Sequence, residues 1–550
     1  MANKDVEKGY SLDNYSSHRT PYRLRITPFG EIYRQQYRGA GTVEKPYIID
    51  WLPNDPENPQ TWNDMYKWFL TVFVGIATLA VTFCSSAYVG ELQGLQQEFN
   101  ASMEVFTLGI TLFVLGFAVG PLIWAPFSEV LGRRIPFIIT YLALTAFNAG
   151  TAGSQNMQTV IILRFFSGAF GSSPLTNAGG TLADVFSAKQ RGLAMTLFVA
   201  GPFMGPALGP IVGGFTGDAI GWRWVEGVMT IFTGVIVIIG IICYPETYAP
   251  VLLRRRAEKL SKATGHVYRS KFEEKNQVNI LHLLKTSLSR PWVFLFREPI
   301  VFLLSLYMAI VYGILYMLFD AFPIVYEEER GWSAGIGGLA YIGIAIGFIF
   351  AVIYCIWDNR RYSKLVDESP NHLAPPEARL PPAIIGAFAL PIGLFWFAWT
   401  NYPSIHFMAS ISAGVPFGFG MLLVFLALMN YLIDTYVIYA ASVLAANSVL
   451  RSLFGAIFPL FTTQMYHNLG IHWATTIPAF LALLCLPMPY IFWKYGSTIR
   501  SWSKYSSEAA AFVARKSIVP PQGDSIEVKP AGGITEEDED IQELSVSIRL

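Results

Sequence analysis

Four charged side chains stand in or beside long apolar stretches of the chain, where a hydrocarbon surrounding would make an isolated charge costly. Arg164 and Arg451 interrupt such stretches, whereas Asp320 and Glu226 lie near the ends of two others. A guanidinium does not shed its proton, so each arginine needs a partner or a watery cavity. A carboxyl group there can take up a proton or hold a cationic substrate. These four residues are the candidates for handling protons and substrate.

An aromatic stripe leads to Asp320. Tyr312, Tyr316 and Phe319 are spaced by four and three residues, which places them on one face of a helix. Such a face predicts a cavity wall on which flat or greasy substrates stack. Two structural alternatives stay open: the arginines can staple helices together, and Asp320 can be an acid at the membrane edge.

The elements that carry these residues are too apolar for a soluble protein. Hydrophobic residues make up 53% of the 550 residues and charged residues 14%, whereas charged residues usually reach about a quarter. About twelve apolar runs are long enough to cross roughly 30 Å of hydrocarbon, and they fall into two groups of six. The fold class we predict is an all-α polytopic membrane protein.

The predicted organisation has five parts. Two six-helix bundles span 67–244 and 297–495, and a polar loop over 245–296 joins them. The polar tails, 1–66 and 496–550, are expected to be disordered because they are too polar to bury a core.

Lysines and arginines concentrate in the loops that share a side with both termini, so we expect both tails in the cytosol. The residues before the first span hold no short apolar core, so no signal peptide is expected. This topology places Asn100, in the sequon Asn-Ala-Ser, in the first outer loop as a candidate glycosylation site.

Several function classes are disfavoured. The net charge is zero and no basic patch is interleaved with aromatics, so we expect no nucleic-acid partner. The sequence has no His-Glu-x-x-His, no Gly-x-Ser-x-Gly and no histidine cluster, which argues against an enzyme. We expect neither metal nor cofactor, and a monomer whose partners are the lipid bilayer, protons and a small-molecule substrate.

One apolar stretch carries a glycine at every fourth residue, which leaves one helical face bare, and its prolines delete backbone donors. Such a helix packs closely and bends. The residues concerned are Gly201, Gly205, Pro206, Gly209, Pro210, Gly213 and Gly214. From Gly205 onward the stretch resembles the fifth-helix signature of antiporters in the major facilitator superfamily.

The loop after the second span reads Trp-Ala-Pro-x-Ser-Glu-x-x-Gly-Arg-Arg, which resembles the gating loop of fungal drug:proton antiporters. Glu129 takes its acidic position and Gly132 permits the tight turn. Arg133 and Arg134 supply charges that can pair with Glu129, with a plain surface ion pair as the alternative. The next cytosolic loop adds two expected gate residues, Asp184 and Arg191.

Further phrases extend the resemblance over nearly the whole chain. Arg164 followed by Gly168 resembles the fourth-helix signature, in which the arginine is linked to proton transfer. Asp320 stands where relatives usually carry Glu in Phe-Glu-Ala-Phe-Pro, and Glu226 ends a Trp-Arg-Trp-x-Glu phrase that resembles the polyamine-transporter branch. The chain thus resembles the twelve-span drug:proton antiporters of fungi, which implies two six-helix bundles around a central cavity.

The resemblance implies proton-coupled export of drugs, toxins or fungal secondary metabolites by alternating access. A polyamine:proton antiporter, a facilitator importing a nutrient and a sensor that binds solute without moving it remain alternatives. The glycine-proline stretch argues against the importer. The family habit favours the plasma membrane, with the vacuolar membrane as the alternative.

Overall fold

The computed structural model describes residues 26–186, 188–273, 280–369 and 374–518, most of which are helical. The α-helices are α1 (Phe29–Arg34), α2 (Asp64–Ala87), α3 (Leu92–Phe99), α4 (Met103–Leu131), α5 (Arg134–Ala152), α6 (Met157–Val185), α7 (Ala188–Ile220), α8 (Trp222–Cys243), α9 (Ala249–Thr264), α10 (Ile280–Arg297), α11 (Pro299–Phe322), α12 (Ala334–Gly338), α13 (Ile342–Glu368), α14 (Pro381–Thr400), α15 (Phe407–Thr435), α16 (Ala440–Cys485), α17 (Pro487–Trp502) and α18 (Lys504–Ile518). Two short strands, β1 (Tyr47–Ile49) and β2 (Tyr268–Ser270), pair in parallel.

Ten segments of the described residues are long and apolar enough to cross a membrane. One of them, Val437–Trp502, holds two crossing helices because α16 turns at Gly470, whose φ is 76°. The 29-residue helix α6 is long enough but is diluted by polar residues, so it is not among the ten. With these two, the helices account for the twelve predicted crossings, and the all-α polytopic fold is confirmed.

The long helices pack in pairs around two apolar cores. In the first half α2 lies along α7 and α4 along α6, and in the second α11 lies along α16 and α14 along α15. The two halves meet where α4 packs on α16 and where α7 packs on α12 and α13. The chain divides into two compact units: the first ends at Ala509 and the second begins at Ala510.

The bare face of α7 lies against the backbone of α2. A β-carbon at Gly201 would collide with the carbonyl oxygen of Gly75, and one at Gly213 with that of Ala87. At Gly205 it would stand 2.7 Å from the carbonyl oxygen of Leu79. The helices approach this closely because only hydrogen atoms stand between the two backbones.

The N-terminal segment is folded where the structure describes it, so the expected disorder of 1–66 is wrong for 26–66. Ile32 and Ile49 are buried against Leu253, Ala257 and Leu260 of α9. The partner surface lies some two hundred residues away in sequence, so the polar composition of the segment gave no sign of it. Residues 1–25 lie outside the described part.

A buried ion cluster joins the same segments, and we call it the N-terminal clasp (Thr27, Asp55, Glu57 and Arg256). The guanidinium of Arg256 donates to Asp55 Oδ2 and to Glu57 Oε2, both at 2.6 Å. Thr27 donates to Asp55 Oδ1 at 2.5 Å. Arg256 is 5% exposed and Asp55 1%. Charges this deeply buried hold the two segments together because neither is stable there without its partner.

The C-terminal tail also begins later than expected. The predicted boundary at 496 falls inside α17, and α18 continues to Ile518, so the expected disorder is wrong over 496–518. Glu298 accounts for part of this order: its carboxylate accepts hydrogen bonds from Tyr436 at 2.7 Å and Ser503 at 2.5 Å. The rest of the tail, from 519, lies outside the described residues.

Replacing Gly205 by Ala is expected to lower stability by about 1–3 kcal/mol, because the added methyl group forces α7 away from α2. Thermal unfolding in detergent measures the change. Gly234→Ala is the matched control, since a β-carbon there would meet its nearest atom, Thr145 Cγ2, at 3.7 Å. Equal midpoints for the two variants would contradict the close packing.

Replacing Asp55 by Asn is expected to lower the free energy of unfolding by about 3 kcal/mol, because Arg256 is left buried without the Asp55 carboxylate. Burial alone raises the pKa of Asp55, but hydrogen bonds from Arg256 and Thr27 outweigh it and hold the pKa below its usual range. The clasp therefore stabilises the protein above the ordinary Asp pKa of about 4 and loses that contribution as the pH falls through the lowered value. Unfolding midpoints measured across pH should show this acid-dependent loss in the parent protein and lack it in D55N.

Candidate functional site

Arg164 of α6 is buried inside the first bundle and is 1% exposed. Its Nη1 donates to the carbonyl oxygen of Cys84 at 2.9 Å and its Nη2 to that of Ser85 at 3.1 Å. Its Nε donates to Gly109 on α4 at 3.3 Å. These carbonyl groups of α2 lie just before the helix tightens into the 3₁₀ turn Tyr88–Glu91. One guanidinium thus joins three helices.

Two buried carboxyl groups stand beside this guanidinium. Glu226 of α8 is 0% exposed, and its Oε1 lies 3.8 Å from Arg164 Nη1. Glu91, in the 3₁₀ turn Tyr88–Glu91 that packs on α8, is also 0% exposed. The sequence analysis missed Glu91 because it counted the residue with the outer loop. The apolar segment Asp64–Phe99 is 36 residues long, and this length could have indicated that Glu91 belongs to the span rather than to the loop after it.

A hydroxyl chain links this cluster to the second bundle. The Ser85 hydroxyl lies 3.1 Å from the Tyr316 hydroxyl, which accepts from Tyr312 at 3.4 Å. The guanidinium of Arg451 on α16 stacks 5.3 Å from the centre of the Tyr312 ring. The structure therefore brings Arg164, Glu226, both predicted tyrosines and Arg451 into one polar path across the interface of the two halves.

The aromatic stripe is packed against protein in this conformation. Tyr312 is 8% exposed, and Tyr316 and Phe319 are fully buried. Tyr312 lies against Phe425, and Phe319 against Tyr341. The expectation of an open cavity wall is not met here, because the rings of the second bundle close over the stripe.

Asp320 lies one helical turn beyond Tyr316 and is 1% exposed. Its Oδ2 has no hydrogen-bond partner among the described residues. The carboxyl group is therefore enclosed by protein. An unpartnered carboxylate in such a place is costly, so the group favours a proton or a cation as its companion.

The charged residues of the predicted gating loop have partners that the sequence analysis did not name. Arg133 Nε lies 3.3 Å from Asp184 Oδ2, a partner that the sequence analysis did not assign to it, whereas Glu129 is exposed. Gly132 has a φ of 91°. That turn points the main-chain N–H of Arg133 at Glu246 Oε1, 2.8 Å away.

The remaining predicted residues are placed as follows. The main-chain N–H of Arg134 donates to Glu246 Oε2 at 3.4 Å, and the guanidinium of Arg191 donates to the carbonyl oxygen of Ala183 at 3.2 Å. Asn100 ends α3 in the left-handed conformation, with a φ of 48°, and is exposed. Glu246 joins the gating loop to the end of α8, a role that its place after the sixth span did not suggest.

The far end of the glycine helix contacts the second half directly. Asp218 Oδ2 accepts a hydrogen bond from the main-chain N–H of Gly335 at 2.7 Å. A β-carbon at Gly214 would lie 2.5 Å from the carbonyl oxygen of Ala334, and one at Gly338 would lie 2.6 Å from that of Pro210. Glycine therefore permits close packing between the halves as well as within the first bundle.

Paired helical bundles with a buried polar path between them define a polytopic membrane transporter. The family model of the Major Facilitator Superfamily matches residues 74–459. The chain belongs to the major facilitator superfamily, and it is a transporter rather than an enzyme.

Several curated relatives come from fungi. The chain is 62% identical over 491 residues to the "MFS-type efflux pump MFS2" of Trichophyton rubrum, covering 89% of this chain and 82% of the relative. It is 58% identical over 517 residues to the "Major facilitator superfamily multidrug transporter mdrA" of Aspergillus fumigatus, covering 93% and 85%. The "Efflux pump FUBT" of Fusarium oxysporum is 52% identical over 477 residues, covering 86% and 80%.

A solved structure agrees on the fold. The proton:xylose symporter XylE, bound to 6-bromo-6-deoxy-D-glucose, superposes with a TM-score of 0.56 at 14% identity. The match covers 79% of this chain and 96% of that one. At this identity the likeness concerns the fold alone.

Replacing Tyr316 by Phe removes the hydroxyl that contacts Ser85 across the two halves. A hydrogen bond of this kind contributes about 1 kcal/mol, so amide hydrogen exchange around the contact should accelerate roughly fivefold. Tyr307→Phe is the control, since the buried Tyr307 hydroxyl has no partner in the described part of the chain. If amide hydrogens in both variants exchanged at the rate of the parent protein, the contact between Tyr316 and Ser85 would contribute nothing to stability.

Proposed function

We propose that this protein is a proton-coupled efflux transporter that exports drugs, toxins or fungal secondary metabolites by alternating access. The observation that carries the proposal is the buried Asp320 carboxyl group beside the aromatic stripe. Relatives that bear the names multidrug transporter and efflux pump support the direction of transport.

The coupling follows from the cost of burying Asp320 as an anion. A proton or a cationic substrate removes that cost, and the two compete because each satisfies the same carboxylate. Proton binding from the acidic side then favours the inward-facing state, and substrate capture releases the proton to the cytosol. Exchange needs only that proton and substrate prefer different conformations.

The stripe and Arg451 supply the remaining substrate contacts in this proposal. Tyr312, Tyr316 and Phe319 would stack on flat, apolar molecules once the halves separate. The glycine helix α7 would let the halves rock about a close contact, while Arg133 and Asp184 restrain the gating loop. We further propose that both termini are cytosolic, that the protein acts as a monomer in the plasma membrane, and that Asn100 is glycosylated.

The contacts of Glu226 favour a drug over a polyamine as the substrate. This acid is what suggests the polyamine branch, but it is fully buried with Arg164 Nη1 at 3.8 Å. A carboxylate that already balances a guanidinium is a poor receptor for a second cation.

Proteoliposomes with an acidic lumen test the function. A proton exchanger accumulates labelled hydrophobic cations in such vesicles, and an ionophore that dissipates the pH gradient abolishes the accumulation. Accumulation of spermidine but not of drugs would move the protein to the polyamine alternative. A proton symporter that imports a nutrient would accumulate substrate only when the outside is acidic.

Asp320→Asn is expected to keep the site neutral at every pH and so to remove gradient-driven accumulation while downhill drug flux persists. The measurement is the ratio of internal to external drug with and without the gradient, which should fall to about one in the variant. Glu104→Gln, at an exposed carboxyl in the first turn of α4, serves as the control. Undiminished accumulation by Asp320→Asn would remove Asp320 from the mechanism.

A further inference from the structure

We infer that this protein takes aromatic zwitterions as substrates, with the anionic group of the substrate bound by Arg451 and its cationic group by Asp320. The inference rests on the proposed efflux function and names the chemical class of its substrate. It adds an anion site on α16 to the carboxyl group of α11. The aromatic stripe of α11 lies between the two charged ends.

The guanidinium of Arg451 has donors to offer to a ligand. Its Nε is buried without a hydrogen-bond partner in the described part of the chain, and the group stacks 5.3 Å from the centre of the Tyr312 ring. A ring face attracts the positive charge but leaves the N–H donors in need of acceptors. Arg164 is the contrast, since each of its three nitrogens donates to a main-chain carbonyl group.

Arg451 lies beside the interface of the two halves. One turn further along α16, a β-carbon at Gly455 would lie 3.1 Å from Val114 Cγ1 on α4. The Thr111 hydroxyl of α4 donates to the carbonyl oxygen of Ala456 at 3.0 Å. Because this contact joins the first half to the second, separation of the halves would open the guanidinium to a substrate.

Asp320 supplies the opposite charge at the other end of the stripe. Its Oδ2 is buried without a hydrogen-bond partner, and no cationic side chain of the described residues pairs with it. Asp320 follows Tyr312 by eight residues on α11, which places the two about 12 Å apart along the helix axis. Tyr316 and Phe319 lie between them. An elongated aromatic molecule with a charge at each end matches this order of groups.

The charge balance selects a zwitterion over a simple cation or anion. A cation satisfies Asp320 but leaves Arg451 without an acceptor, and an anion does the reverse. A molecule with both charges satisfies both groups and adds no net charge to the membrane interior. Its cationic group also replaces the proton on Asp320, as the proposed exchange requires. A simple anion would instead favour the protonated acid and bind together with the proton.

Binding of norfloxacin to the purified full-length protein in detergent at pH 7 tests the substrate class. Norfloxacin carries a carboxylate and an ammonium group at opposite ends of a fused aromatic system. Its methyl ester keeps only the cation, and its N-acetyl derivative keeps only the anion. By titration calorimetry, the parent protein is expected to bind norfloxacin about 10- to 100-fold more tightly than either derivative, because each derivative loses one hydrogen-bonded charge pair.

Variants at the two ends assign each charge to its residue. Arg451→Gln should weaken the binding of norfloxacin and of the N-acetyl derivative without weakening that of the ester. Asp320→Asn should weaken the binding of norfloxacin and of the ester without weakening that of the N-acetyl derivative. Arg451→Lys keeps the charge but lacks the planar fork, so its affinity for norfloxacin should fall between those of the parent and Arg451→Gln. Glu104→Gln, at an exposed carboxyl group, is the control for all three ligands.

Arg451→Gln is expected to fold, because it leaves no hydrogen-bond partner unpaired among the described residues. Its unfolding midpoint without ligand should not fall below that of the parent, whereas loss of an arginine that staples helices would lower it. Equal affinity of the parent for norfloxacin and either derivative would overturn the inference, as would an Arg451→Gln variant that weakens all three ligands alike. So would a parent protein that binds tetraphenylphosphonium but not norfloxacin.

Transport measurements distinguish failure of this inference from failure of the proposed function. If drug accumulation by the parent protein does not respond to a pH gradient, the proposed coupling fails, while the binding pattern of the three ligands still tests the two charged ends. If hydrophobic cations accumulate under the gradient but norfloxacin binding does not depend on Arg451, the proposed function stands and this inference is refuted.

Discussion

A guanidinium buried in a membrane protein constrains much of this structure. Arg164 cannot be neutralised, so the surrounding helices must provide hydrogen-bond acceptors for its guanidinium. They do so with main-chain carbonyl groups of α2 and α4, at the point where α2 changes to a 3₁₀ turn. The break in α2 brings Glu91 inward, and the glycine helix α7 packs on the same segment of α2. Helix packing, the acidic pair and the hydroxyl link to the second half all meet at this one residue.

The sequence was most informative where the membrane allows a residue type only one kind of environment. The apolar runs predicted the twelve crossings, and the glycine spacing predicted a helix face that lies against another backbone. Arg164 and Arg451 were recognised because an arginine in an apolar stretch always needs an explanation. Periodicity and burial cost are local properties, so one sequence suffices to read them.

The sequence was least informative where the outcome depends on a distant partner. Glu91 looked like a loop residue because its companion Glu226 follows 135 positions later. Arg133 was assigned to the neighbouring Glu129, whereas the folded chain offers Asp184 and directs its main-chain N–H to Glu246. Ion pairs between loops depend on tertiary geometry, and nearness in sequence is a weak guide to them. The polar composition of the N-terminal segment concealed its apolar partners on α9 for the same reason.

The parallel pairing of β1 with β2 has a consequence for biosynthesis. Tyr47 pairs with Tyr268, and the six long helices of the first half lie between them in the chain. During synthesis β1 lacks its parallel partner β2 until all six have left the ribosome. The two strands can therefore pair only after the first half has been synthesised. They can do so before the ribosome adds the long helices of the second half. The Asp55–Arg256 contact closes at the same stage, so a nascent chain arrested in the first half exposes the Asp55 carboxylate and the edge of β1 that β2 covers in the folded protein.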